Sequence, residues 1–358
     1  MADCHLGAAL SSLPSNLANI KRGEMLRSFL NTVEFAKTQD IPIVLIAGDL
    51  FDSLYVSRSL VERVANAMGD ATGTSFFICS GNHDPIVGQR QYMNHSFPKN
   101  VHIFDKPFFE EVYLAEQNLS VLGCSTFDTI MEISPFSSLS EHPKGAVSLA
   151  IFHGDIYASA QSDTYKITKA DIERCGFTYL ALGHIHAKTN MEQFEGTCFA
   201  YSGCLDSRGF DEKGDKGFLL YDITDSKLKC TFVRANKRNF EVLEANASNE
   251  DFNDNLHENL LKIPADSILK LTINGETEDF DTLISQKNLE LLDGFFYVKL
   301  VDNTSVPIDL TSLADEKSLT GIFISKLTES ELDKETLKRA LKYGISALKG
   351  DKIKINDD

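Results

Sequence analysis

Residues 41–52 read Ile-Pro-Ile-Val-Leu-Ile-Ala-Gly-Asp-Leu-Phe-Asp. The continuous apolar run over 41–47 predicts a strand buried on both faces, the mark of a sheet covered on either side. It stops on Gly48-Asp49, which puts a carboxylate just past a strand's carboxyl end, where open α/β sheets bind ligands. Working outward, Leu26, Phe29, Leu30, Val33 and Ala36 share one face of a helix over 23–38. Leu60, Val61, Val64, Ala67 and Met68 mark a second amphipathic helix, and Ser75–Ser80 a second buried strand. Further strands are expected at 119–122, 147–152, 178–182, 197–202, 217–222 and 228–234. From about 195 onward strands replace helices, which predicts an antiparallel layer and a two-sheet α/β/β/α sandwich.

Near residue 240 the pattern changes. A helix over 251–262, a strand over 268–274, a helix over 279–291 and a strand over 295–301 predict a small α+β accessory domain over 241–327. Thr328 and Glu331 read as a capping box opening a last helix, so 328–358 is assigned to a C-terminal helix and tail. Its stripe Leu337, Leu341, Ile345 and Leu348 either packs on its own domain or docks on a partner helix. Charge divides at the same place. The 358-residue chain has a formal net charge of −17, and residues 241–358 hold 24 acidic against 13 basic side chains. This excludes a basic coat for nucleic acid and a polybasic membrane anchor, although a local phosphate site remains allowed. No stretch reaches the roughly 18 apolar residues of a membrane span. Seven scattered cysteines without a CxxC pair, and no visible signal peptide, predict a reducing cytoplasm.

Chemistry concentrates in five short clusters: Asp3-Cys-His5, Gly48-Asp-Leu-Phe-Asp52, Gly81-Asn-His83-Asp84, Phe152-His153-Gly154 and Gly183-His-Ile-His186. All but the first follow an apolar strand run. Taken singly, an acid after Gly48 or Asn82 in a turn is an ordinary loop residue. Together, imidazole, carboxylate and amide oxygen suit a borderline divalent ion such as Mn, Fe or Zn. There are too many donors for one tetrahedral zinc. Two ions about 3.5–4 Å apart would use them all, the arrangement that hydrolyses phosphoesters.

The series DCH, GDLFD, GNHD, FHG and GHIH resembles the calcineurin-like metallophosphoesterases, and within them the SbcD/YhaO-like DNA repair nuclease subunits. The motifs span 3–186, and Tyr201–Gly209 with the strands after it carries the likeness to about 240, the expected end of a nuclease domain over 1–240. The resemblance implies that Asp3, His5, Asp49 and His186 hold one metal, and Asp49, Asn82, His153 and His184 the other, with Asp49 as the bridge. It implies Mn as the usual ion, attack on phosphate by metal-bound hydroxide, His83 as proton donor to the leaving oxygen, and Asp52 as the group orienting His83. DNA and an SbcC-like ATPase are the implied partners, the latter through the C-terminal region, and a homodimer is compatible. Arg90, Lys188 and Arg208 lie near the motifs as candidate phosphate contacts.

Two departures stand out. Cys4 occupies a position where the family commonly has an aromatic; it reads as a neutral filler, the alternative being an adventitious metal ligand. Only Met1 and Ala2 precede Asp3, so the apolar first core strand is expected to be missing, leaving Asp3 and His5 on a frayable terminus that binds the first metal poorly. A small-molecule or nucleotide phosphodiesterase on the same core is the second reading, and an inactive scaffold the third.

Overall fold

The computed structural model describes residues 1–53, 55–86, 95–127, 134–139, 143–157, 164–224, 227–307 and 318–350. They divide into two units, Met1–Asn239 and Phe240–Asp358.

The first unit runs α1 (Ser15–Thr38), β1 (Ile43–Ala47), α2 (Arg58–Asp70), β2 (Ser75–Cys79), β3 (Val101–Ile103), β4 (Glu110–Leu114), β5 (Leu119–Gly123), a 3-10 turn (Pro135–Ser138), β6 (Val147–His153), α3 (Lys169–Cys175), β7 (Tyr179–Gly183), β8 (Glu192–Phe194), β9 (Thr197–Tyr201), β10 (Gly217–Thr224) and β11 (Lys227–Arg234). One sheet has the order β1-β2-β3, all parallel. The other has the order β4-β5-β6-β7-β9-β8, parallel from β5 to β9 with an antiparallel strand at each edge.

Period-two side chains explain the layering. On β2, Phe76 and Ile78 join the cluster with Phe29 and Val33 of α1 and Val61 and Val64 of α2. Their neighbours Phe77 and Cys79 turn the other way, toward Leu149 and Ile151 of β6 and Tyr179 and Ala181 of β7. Ala150, Phe152, Leu180 and Leu182 then face Ile172 of α3 and Phe136 of the 3-10 turn. Helices, sheet, sheet and helices stack in that order, the expected α/β/β/α sandwich. The antiparallel β10-β11 hairpin extends the first layer, with Phe218 and Leu220 on the α1 side and Leu219 and Tyr221 on the inner side.

The amino terminus runs between β1 with the turn after it and the Cys204 segment that follows β9. Ala47 donates to Met1 O at 3.0 Å, Asp3 to Gly48 O at 3.1 Å, His5 to Asp49 O at 3.0 Å and Leu6 to Leu50 O at 3.0 Å. Ala2 also bridges Cys204 in parallel. The expected fraying is corrected by this ladder: Asp3 and His5 are both 0% exposed. A cavity of about 390 Å³ lies beside Met1, lined by Phe35, Leu45, Leu219 and Tyr221 among others, where the two edges of the layer part.

A buried ion pair fixes α1 to the loop that follows β9. Lys21 Nζ lies 2.5 Å from Asp206 Oδ1, and Ser28 Oγ donates to Asp206 Oδ2 at 3.1 Å. Burial pushes the Asp206 carboxyl up, and the Lys21 charge works against that. Lys21→Ala is expected to cost about 3–5 kcal/mol, because it leaves a buried charge behind. A urea unfolding curve read from the midpoint shift checks this.

The second unit contains β12 (Phe240–Asn246), α4 (Phe252–Leu261), β13 (Ile268–Glu276), α5 (Gln286–Asp293), β14 (Tyr297–Ser305), α6 (Leu319–Thr328) and α7 (Lys334–Lys349). Its three strands are all parallel, in the order β12-β13-β14. Leu269, Leu271 and Ile273 of β13 pack against Phe252, Leu256 and Leu260 of α4. The last helix opens differently from the sequence reading. Thr328 closes α6, its hydroxyl donating back to Ile324 O at 2.9 Å, whereas Asp333 caps α7 by accepting from Thr336 N at 3.0 Å. A hydroxyl and an acid at the right spacing also occur where one helix ends. Leu341 and Ile345 are buried against Ile324 of α6, with Leu337 partly buried beside them. Leu348 stays exposed, as do Leu319, Ile322 and Leu332.

Candidate metal centre

The parallel strands β1, β2, β6 and β7 deliver the site from their carboxyl ends. Asp49 follows β1, the 81–84 turn follows β2, His153 is the last residue of β6, and His184 and His186 follow β7. Asp3 and His5 arrive on the segment paired along 47–50. Tight curvature is built in here: Asp3 (φ 49°), His5 (φ 43°), Asp49 (φ 50°) and His184 (φ 101°) all have positive φ. Such backbone costs roughly 1–3 kcal/mol per residue and concentrates at functional sites. Gly48 and Gly81 allow the close approach, since a Cβ on the first would overlap the His153 ring and on the second the Asp49 carboxylate.

The polar atoms converge. His5 Nε2 and His186 Nε2 stand 3.2 Å apart. Asp49 Oδ2 lies 3.7 Å from His5 Nε2 and 3.4 Å from His153 Nε2. Asn82 Oδ1 is 2.8 Å from His153 Nε2, and Asp3 Oδ1 is 3.9 Å from His186 Nε2. The His184 amide donates to both Asp3 oxygens, at 3.0 and 3.2 Å, and its ring meets His153 edge-on.

The outer ring nitrogens of His153 and His186 are engaged elsewhere. His153 Nδ1 donates to Ala47 O at 3.1 Å. His186 Nδ1 lies 2.6 Å from Glu212 Oε1. His5 Nδ1 lies 3.1 Å from Asp52 Oδ1, off the line of a straight hydrogen bond. A neutral imidazole has one donor and one acceptor nitrogen. Occupying Nδ1 as donor leaves Nε2 as a lone pair aimed inward, the arrangement in which a second oxygen orients a metal-ligating histidine. With Nδ1 donating to Glu212, His186 Nε2 presents its lone pair toward His5 Nε2, and imidazole nitrogens set among the Asp3 and Asp49 carboxylates make a donor set that fits a divalent ion. Asp3, His5 and His186 form one grouping within ligand distance, Asp3, Asp49 and His153 another, and His5, Asp52 and His83 a third.

Electrostatics agree. Burial would raise the Asp49 carboxyl, but His153, His5 and His83 outweigh it and hold it below its ordinary value. Burial likewise works against His153, whose pKa is nevertheless raised by Asp49 and Asp3. Burial lowers His5. The Glu212 carboxyl, despite burial, is held at about 2 by its bond to His186 and the Arg208 charge. Burial and the Asp49 charge push Asp84 up to about 6.

A profile described as calcineurin-like phosphoesterase matches residues 1–188. The chain belongs to that family. Members of this phosphoesterase family use divalent metals, in accord with the donor set. Over 249 residues the chain is 28% identical to the uncharacterized metallophosphoesterase YhaO of Bacillus subtilis (strain 168), covering 65% of this chain and 59% of that relative's length. Over 372 residues it is 24% identical to the DNA double-strand break repair protein Mre11 of Saccharolobus solfataricus, covering 99% of this chain and 95% of the relative.

Within this phosphoesterase site the remaining expected residues fall as follows. His83 sits at the rim, its side chain 39% exposed, with Nδ1 3.1 Å from the Asp52 backbone carbonyl and 3.8 Å from the Asp52 carboxylate. Its backbone N–H donates to Asp49 Oδ1 at 2.9 Å. The Asp52 carboxylate instead approaches His5 and Arg208. Arg208 pairs with Asp52 and Glu212, and the Lys188 ammonium lies 4.0 Å over the Phe232 ring. Arg90 is outside the described residues. Cys4 is buried and its thiol is pushed up to about 12 by burial, as a neutral filler should be. Two participants were given no role by sequence reasoning, Asp84 although its motif was recognised and Glu212 altogether. Asp84 accepts from Gly81 N at 2.7 Å and from Phe51 N at 3.3 Å, tying the β1 and β2 turns together. Glu212 lies in the polar run Asp211-Glu-Lys213 and carries no pattern that marks it.

Proposed function

We propose that this phosphoesterase is a two-metal DNA phosphodiesterase that works with an SbcC-like ATPase. The observation that carries the reading is the inward convergence of His5, His153 and His186 Nε2 on the Asp3 and Asp49 carboxylates, with Nδ1 of His153 and of His186 engaged by another oxygen. When bound, two divalent ions, with Mn the proposed pair, supply Lewis acidity and a water of lowered pKa. Asp3, His5, Asp49 and His186 would hold one, and Asp49, Asn82, His153 and His184 the other, with Asp49 common to both sets. His83, whose Nδ1 is anchored on a carbonyl, keeps Nε2 for protonating the leaving 3′ oxygen. DNA as substrate is supported by the likeness to a DNA double-strand break repair protein along 99% of the chain. The partner helix would use the exposed Leu319, Ile322, Leu332 and Leu348, because Leu341 and Ile345 are already buried. Seven free thiols support a cytoplasmic setting, and among the described residues no helix is long and apolar enough to cross a membrane.

The test is Mn-dependent cleavage of linear, circular and hairpin DNA, with and without the ATPase, against nucleotides and bis-p-nitrophenyl phosphate. DNA cleavage is expected, stimulated by the partner and weakened by salt. Turnover confined to the small esters would replace the DNA reading with the nucleotide one.

A further inference from the structure

Arg208 occupies a position that the metal ligands alone do not explain. Its guanidinium donates to Asp52 Oδ1 from Nη1 at 3.1 Å and to Glu212 Oε1 from Nε at 3.2 Å. Those same two oxygens are the ones that approach the outer nitrogens of His5, at 3.1 Å, and of His186, at 2.6 Å. One planar cation therefore joins two carboxylates, each set against a different imidazole. The fixed fork of an arginine can do this, whereas a lysine is a single point charge. The support is itself fixed. Arg208 N donates to Glu212 Oε2 at 2.6 Å, Ser207 Oγ donates to Glu212 O at 2.8 Å, and the Glu212 side chain is 4% exposed.

The proton on the His186 bond can be placed. An ionised carboxylate only accepts, so His186 Nδ1 carries the hydrogen and Nε2 the lone pair. Arg208 Nη2, 3.1 Å from the same Nδ1, is then a neighbouring charge and not the donor to it.

We propose that Asp52, Arg208 and Glu212 form a brace that fixes the tautomer of His186 and the spacing of His5 and His186, so that one of the two metal positions depends on Arg208 and the other does not. Arg208 and Glu212 are on this account positioning residues, acting through the imidazoles. The proposal rests on the two-metal reading. The His153 ring lies outside the brace, since its Nδ1 is held by the Ala47 carbonyl. Loss of an orienting partner of this kind typically weakens metal affinity by about 10–100-fold.

The experiment uses the full chain and Mn²⁺ alone. Calorimetric titration of the wild type is expected to show two sites. Arg208→Ala and Glu212→Ala are expected to weaken one site by about 10–100-fold and leave the other unchanged, whereas Asn82→Ala weakens the opposite one. Arg208→Lys, which keeps the charge, should recover only part of the loss. In parallel, long-range ¹H–¹⁵N spectra of the metal-free chain should show His186 protonated at Nδ1, and this signature should be lost in Glu212→Ala. A thermal melt of each metal-free variant confirms folding. Equal weakening of both sites, or no weakening of either, overturns the brace, as does an Nδ1-protonated His186 that survives in Glu212→Ala. A wild type that binds no Mn²⁺ overturns the two-metal reading itself, while the tautomer spectra still report on the brace.

Discussion

Replacing His83 by alanine is expected to lower turnover on DNA by about 10²–10⁴-fold, the range of a general acid, while both Mn²⁺ sites keep their affinity. The geometry separates the two properties. The His83 ring is anchored through Nδ1 on the Asp52 carbonyl and is partly exposed at the rim, edge-on to His5 with centroids 4.7 Å apart. What the site needs from residue 83 toward the metals is its backbone N–H, which binds Asp49 and survives the substitution. The leaving group supplies a second check. An alkoxide from DNA needs a proton as the bond breaks, but p-nitrophenolate leaves without one. His83→Ala should therefore impair bis-p-nitrophenyl phosphate far less than DNA. Equal losses on both substrates would remove the proton-donor role, and loss of Mn²⁺ would make His83 a ligand.

Continuous apolar runs are legible along the chain, whereas contacts made by convergence across the fold are not. Strands β6 and β7 were legible to within a residue because both faces are buried and most side chains are apolar. The strand β12 was missed because Glu241 and Glu244 interrupt it with acids on a half-exposed surface. The first helix begins at Ser15, eight residues before the expected start, because its opening turns carry few apolar residues. The helix expected from 279 begins at Gln286, after a turn in which Asp279 accepts from Asp281 N at 3.0 Å. At the site, the residues in compact motifs after strands were readable, since the fold places strand ends together. Asp52 illustrates the limit. Its presence in the motif was plain, but whether its carboxylate serves His83 or His5 depends on a rotation of a few ångströms that spacing does not encode. Glu212 lies beyond that limit altogether, because it acts across a loop closed by its own hydrogen bonds to Arg208 and Ser207.

Asp49→Asn is expected to abolish the stabilisation of the chain by Mn²⁺ and to lower turnover by about 10³-fold or more, if several kcal/mol of transition-state stabilisation go with the ions. Asp49 is 1% exposed, and its carboxylate approaches both His5 and His153. The metal-free chain thus buries Asp49 beside Asp84, whose raised carboxyl registers the burial and the repulsion between them. Ions that bind only the folded chain relieve that repulsion and stabilise by about 2.7 kcal/mol per site at a hundredfold excess over Kd. A melt of the wild type should accordingly shift upward with Mn²⁺ and return with chelator. Asparagine keeps an oxygen for the His83 N–H but gives up the charge, so Asp49→Asn should fold. Its melt in chelator should lie somewhat below that of the wild type, because His153 and His5 hold the Asp49 carboxyl below its ordinary value and that favourable charge is removed. Its melt should then be indifferent to Mn²⁺. A full Mn²⁺ shift in Asp49→Asn would show that the two ions do not share this carboxylate. A shift of half the size would leave Asp49 as ligand to one ion only.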